Sequence, residues 1–108
     1  MLSLKNQITT LVKARELRIS EHGYDELSAD NLQIDEIIHG IETALVIEEY
    51  PEYPKGPAIL LLQKDQFEKP VHVVWGIPKG YNTPAVLVTA YRPDKDRWDS
   101  SYTKRILS

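Results

Sequence analysis

The residues best suited to acid–base chemistry in this chain are its three histidines, because an imidazole with an ordinary pKa of about 6.5 exchanges its proton near neutrality. They stand at His22, His39 and His72. His72 interrupts an alternating run in which Val71, Val73, Trp75 and Ile77 face one way and His72 and Val74 the other. In the next apolar run Thr89 and Tyr91 share a face. If that run pairs with the first, the three make a polar row. His22 follows Ser20 on a short helical segment that the topology lets fold over a sheet edge. His72 has a competing assignment, a buried histidine hydrogen-bonded to a backbone or carboxylate partner. His39 falls on the polar face of a helix and is expected at the surface.

No cofactor motif accompanies these groups. The chain lacks a glycine-rich phosphate loop, a His-x-x-x-His pair and a nucleophile elbow. Its histidines are too scattered to announce a metal site, and zero cysteines exclude disulfides and thiolate ligands. Neither a cofactor nor a metal is expected.

With 108 residues and 42% apolar content the chain suits one globular domain, residues 1–108, rather than a disordered array. Its apolar runs fall far short of the ~20 residues that span a bilayer, and the opening MLSLKNQITT has no signal-peptide core. A cytoplasmic protein without a membrane partner is expected. Charge is unevenly spread: residues 1–20 carry +3, residues 21–54 carry −10 with no Lys or Arg, and residues 55–108 carry +4. Folding is expected to gather the basic residues from Arg92 to Arg105 on a surface apart from the acidic block, where they can hold a phosphate backbone.

The elements that must position these groups follow from periodicity. In residues 4–17, Leu4, Ile8, Leu11 and Val12 mark one helix face, and Ser20 is a natural cap for a short helical turn through Leu27. Asp30 and Asn31 offer a cap for a further helix whose stripe is Ile34, Ile37, Ile38, Ile41 and Leu45. Near Leu45 the period changes to two. Four strands follow, over residues 45–50, 58–63, 71–77 and 85–91, and the last sets Leu87, Thr89 and Tyr91 against Val86, Val88 and Ala90. Links short enough for hairpins make these an antiparallel meander, so the expected fold is α+β: two or three N-terminal helices packed on one face of a four-stranded antiparallel sheet. The tail, with Trp98, Tyr102, Arg105, Ile106 and Leu107, suits a terminal helix or a docked extension.

The order Ser20-x-His22, IIHGIETALVIEEY, KPVHVVWG and VLVTAYRPDKDRW resembles a small prokaryotic family, domain of unknown function 4258, over residues 19–98. His22, Glu49, Tyr50, Pro70, His72, Thr89, Tyr91 and Pro93 match the family pattern. Where members carry Arg-Met after the first histidine, this chain has acidic residues and no arginine between Gly23 and Leu32. Some members resemble toxins of toxin–antitoxin pairs, and the helix-then-sheet order is similar to the RelE-like ribonuclease fold.

That resemblance implies a metal-independent ribonuclease acting on single-stranded RNA, with a small antitoxin protein as partner. Such an enzyme needs a base for the 2′-hydroxyl, an acid for the departing 5′-oxygen and a cation for the phosphorane. His72 and His22 fill the first two roles, with Tyr91 beside them. Lys64, Arg92, Lys104 and Arg105 are the candidate cations. Tyr50, Tyr91 and Trp98 can stack on splayed bases, and Thr89 completes the substrate-binding set. The alternatives are a non-catalytic protein-interaction domain and a catalytically silent relative of the toxin, and packing rather than stacking is the competing role of the aromatics.

Overall fold

The computed structural model describes residues 3–106; Met1, Leu2, Leu107 and Ser108, which the tail and leader expectations touch, lie outside the described residues. Helix α1 (Leu4–Lys13) starts at Ser3, whose hydroxyl accepts from the Asn6 amide at 3.1 Å. It stops four residues before the expected end. Arg15 adopts φ +63°, and the Arg15 and Glu16 amides turn back to the carbonyls of Val12 and Leu11 at 3.0 and 2.9 Å, a Schellman closure. Leu17 is thereby released from the helix.

The released segment forms β1 (Leu17–Ile19), which pairs in parallel with residues 85–87. Ser20 then caps α2 (Glu21–Ala29), accepting from the Gly23 amide at 2.9 Å as expected. Asp30 and Asn31 end this helix instead of starting the next. Asn31 takes φ +53°, and the Leu32 amide bonds the Leu27 carbonyl at 2.8 Å, joining two buried leucines across a second Schellman closure. The short α3 (Ile34–His39) follows, with Gln33 at its cap making no side-chain bond.

Strands β2 (Leu45–Tyr50), β3 (Ala58–Lys64), β4 (Pro70–Gly76) and β5 (Ala85–Tyr91) form the expected antiparallel meander. With β1 added at the edge, the sheet is five-stranded and mixed, in the order β1-β5-β4-β3-β2. The fold is α+β, but the four-stranded, purely antiparallel sheet is corrected. A three-residue strand is too short to show a period of two, so its partner and not its pattern defines it.

The core lies between the helices and one sheet face. Ile8, Val12, Ile37 and Ile41 pack with Ile59, Leu61, Val71, Val73, Trp75, Leu87 and Ala90, while Ile34 and Ile38 lie at its margin. Leu45, expected in the same stripe, is 57% exposed because it already belongs to the edge strand. The two polar groups inside are satisfied in series: Trp75 Nε1 donates to Gln63 Oε1 at 3.3 Å, and Gln63 Nε2 donates to the Ile37 carbonyl at 2.8 Å. Helix α2 approaches β5 closely through Gly23, where an added Cβ would sit 2.8 Å from the Leu87 carbonyl oxygen.

Two bulges change which residues share a face. One, between Val46 and Glu48, places Val46 in register with core-facing Leu61 but Glu48 with Leu60 on the opposite face. The other pairs Trp75 with Leu87 and Val74 with Thr89, leaving Val88 unmatched. Leu87 and Ala90 therefore both point to the core, and the unbroken alternation expected for this strand is corrected.

Candidate functional site

The face turned away from the helices carries three rows across the strands. Leu45, Leu62, His72 and Tyr91 form the first, Glu48, Leu60, Val74 and Thr89 the second, and Tyr50, Ala58, Gly76 and Val86 the third. The polar row of His72, Thr89 and Tyr91 expected from alternation is thus placed on one face.

The chain after β5 folds back over the first two rows as a docked extension, not a helix. Trp98 and Arg105 pair as an antiparallel bridge, flanked by bonds from the Asp99 amide to the Lys104 carbonyl and from the Ile106 amide to the Arg97 carbonyl, both 2.9 Å. Tyr102 turns at φ +60°, and the Asp99 carboxylate accepts from Ser101 Oγ and the Thr103 amide. The Ser101 hydroxyl leads in holding that carboxyl below the usual carboxylate range.

His72 lies beneath this hairpin with no exposed surface. Its Nε2 is 2.8 Å from the Tyr102 carbonyl oxygen, its Nδ1 is 3.3 Å from the Tyr91 hydroxyl, and its ring meets Trp98 edge to face at 4.4 Å between centroids. A carbonyl only accepts, so Nε2 carries the hydrogen. Burial leads in pushing the His72 pKa down, with Arg105 adding to it and the Tyr102 carbonyl and Glu48 opposing. The neutral ring then offers its Nδ1 lone pair, and the Tyr91 hydroxyl is the donor. Burial also raises the Tyr91 pKa, keeping that phenol protonated.

A charged pair borders the histidine. Arg105 Nη2 donates to Glu48 Oε1 at 2.8 Å, its guanidinium carbon lies 4.8 Å from the centre of the Trp98 ring, and the Tyr50 hydroxyl donates to the same carboxylate oxygen at 3.1 Å. Burial and then Glu48 raise the Tyr50 pKa. His72, Tyr91, Tyr50, Trp98 and Arg105 are thus brought together, with Thr89 in the adjacent row.

Sequence reasoning missed Glu48 and Tyr102. The family pattern drew attention to Glu49, which is exposed and in register with core-facing Ile59. The alternation linking Glu48 to Tyr50 was the available signal. Tyr102 contributes a main-chain oxygen, which no side-chain pattern announces.

Three expected site residues lie elsewhere. Lys64 is exposed at the end of β3 and pairs with Glu68 at 3.6 Å. Arg92 Nη1 donates at 2.9 Å to Asp65, whose side chain is 1% exposed and also accepts from the Phe67 and Lys69 amides. It is a latch on the β3–β4 turn. His22 is exposed, 3.6 Å from Glu26, and lines a separate groove with Arg18, Tyr53 and Lys55. The expected meeting of His22 with His72 in one cleft is therefore corrected: Ser20 anchors the start of α2 to the Val88 carbonyl in the middle of β5, and His22 lies with Ala58, Gly76 and Val86 at the end of the strands away from His72.

The basic tail is not segregated from the acidic block. Arg105 bonds Glu48, and the Arg92 amide bonds Asp30 at 2.8 Å, because the chain leaving β5 passes the end of α2 and folds back over the sheet face to β2. His39 is at the surface, as expected. Among the described residues no three His, Asp or Glu side chains are grouped to hold a metal ion, and no helix is long and apolar enough to cross a membrane.

No curated protein and no solved structure matches the chain. Its sequence matches a family pattern over residues 19–92, which contains His22, Glu48, Tyr50, His72 and Tyr91 but ends before Trp98, Tyr102 and Arg105. The chain belongs to the family described as Domain of unknown function (DUF4258).

Proposed function

We propose that this protein is the RNA-cleaving, toxin-like member of a prokaryotic toxin–antitoxin pair, and that it cleaves single-stranded RNA on its outer sheet face without a metal. The contact of the neutral His72 Nδ1 with the Tyr91 hydroxyl, beside Arg105, carries this reading. The Tyr91 oxygen takes the 2′-hydroxyl proton while its own proton passes to Nδ1. The 2′-oxygen then bonds to phosphorus as the bond from phosphorus to the 5′-oxygen breaks. The Tyr50 hydroxyl supplies the proton to that leaving oxygen; the Tyr91 hydroxyl afterwards relays the His72 proton to solvent, which reprotonates Tyr50. Arg105 faces the charge that grows on the phosphorane oxygens, and Trp98 holds its guanidinium in place. A small antitoxin protein would cover the same face.

The test is incubation of the purified full chain with end-labelled single-stranded RNA in the presence of chelator. Cleavage is expected, and Tyr91→Phe should lower its rate by ~10² to 10⁴ in the folded protein, apart from the about 1–3 kcal/mol of stability lost by leaving Nδ1 without its donor. An inactive parent chain, or an unchanged Tyr91→Phe rate, overturns the proposal.

The complete burial of His72, with both ring nitrogens engaged, favours a second reading, a catalytically silent interaction domain in which the histidine only ties the tail to the sheet. In that case the parent cleaves nothing, and His72→Ala changes stability alone.

A further inference from the structure

The third row of the outer face opens into a groove of about 590 Å³, within the size range of small-ligand sites. Its floor is flat and apolar: Ala58, Gly76, Val86 and Val88 offer only short side chains or bare backbone. Its rim carries Arg18 on β1, His22 at the start of α2, and Tyr53 and Lys55 on the β2–β3 loop, with Glu21 as the one carboxylate. Among the described residues neither Arg18 nor Lys55 has an ion-pair partner, in contrast to Lys13, Lys64, Arg92 and Arg105. Tyr53 is 44% exposed.

The wall bearing Lys55 is built into the sheet. The Lys79 amide bonds the Lys55 carbonyl at 2.9 Å and the Ile77 amide bonds the Pro57 carbonyl at 3.0 Å. Gly56 between them adopts φ +128°, where an added Cβ would collide with the Ile77 carbonyl. The two cations thus stand on fixed elements on either side of an apolar floor.

We infer that this groove is a nucleotide subsite: a base lies on the floor against the Tyr53 ring, and its phosphate sits between Arg18 and Lys55. The inference rests on the RNA reading for its polymer. Gly76 shares a face with His72, four residues along β4 and so about 13 Å away. One single strand can therefore run from the groove to the edge of the tail, where Tyr91 is half-buried. His22 takes part here as a rim group on the phosphate, away from the acid–base pair.

The test uses fluorescence anisotropy of a labelled single-stranded RNA pentamer on the full chain. The comparison is with Arg18→Glu/Lys55→Glu, Tyr53→Ala and Tyr91→Phe, all checked to be folded at the assay temperature. The charge-reversed variant should bind at least ~10-fold more weakly and lose ~0.7 from the salt slope, since each phosphate neutralised on a single strand contributes about 0.7. Tyr53→Ala should weaken binding ~5-fold or more through lost stacking. Tyr91→Phe should bind as the parent does even where cleavage is lost, which separates the subsite from the chemistry. Binding by the parent with Arg18→Glu/Lys55→Glu unchanged overturns the subsite and leaves the RNA reading standing. No binding at low salt overturns both. Equal competition by inorganic phosphate overturns the base site, and tight binding of a Glu-rich peptide in place of the RNA assigns the groove to a protein partner and overturns the nucleotide.

Discussion

His72 and Tyr91 stand directly opposite one another on β4 and β5, with Nδ1 and the hydroxyl 3.3 Å apart, and a tail carbonyl on the far nitrogen decides which atom of the ring is basic. The pair is neutral in the native fold because burial lowers the histidine pKa and raises that of the phenol.

Stability should consequently fall in mild acid. The unfolded His72 titrates near its ordinary value of about 6.5, while the folded one titrates lower, so the unfolded state binds more protons between these limits. Native stability is expected to decline as pH drops below about 6.5 and to level off once the folded pKa is passed. Thermal melts across this range should show the decline, and His72→Gln should flatten it.

A second acid-sensitive element is the Asp65 latch. Burial alone would raise its pKa, but the Lys69 and Phe67 amides and Arg92 together hold it below the usual range. Its contribution is present above the unfolded value of about 3.9 and disappears as pH falls through the lower folded value. Asp65→Ala should cost about 1.5–3 kcal/mol at neutral pH by chemical denaturation, since it orphans charge-assisted bonds.

Trp98 joins the tail to the sheet, its ring perpendicular to that of His72 and its face under Arg105. Trp98→Ala is expected to destabilise the protein by about 3 kcal/mol, as for other buried tryptophans. Hydrogen exchange should report faster opening in residues 97–106 and little change in the helices; equal protection along the tail would contradict its docking through this ring.

Gly23→Ala improves intrinsic helix propensity by roughly 1 kcal/mol. It should nonetheless destabilise the protein by about 1–3 kcal/mol, because the new methyl would meet the Leu87 carbonyl at 2.8 Å and its Cδ2 at 2.9 Å. A rise in melting temperature would show that α2 can shift away from β5.

Local pattern by itself determined the amphipathic α1, the Ser20 cap, the isoleucine stripe packed inside, the four-strand meander and the placing of His72 opposite Trp75. Each follows from a period or a cap that short-range sterics and burial impose on neighbouring residues. Alternation also put His72, Thr89 and Tyr91 on one face, whereas Tyr50, Trp98 and Arg105, which converge with them, were picked out by the chemistry that the family resemblance implies. Tertiary structure alone decided three matters. Arg15 closed α1 early and gave β1 to a partner some seventy positions away, and a three-residue strand has no period of its own. Bulges at Val46–Glu48 and Val88 shifted side chains from one face to the other, because face parity beyond a bulge depends on cross-strand register rather than on local alternation. Finally, the tail met His72 through the main-chain oxygen of Tyr102, and Lys64, Arg92 and His22 were drawn to other partners. A backbone carbonyl is common to every residue, so only the folded chain can select one.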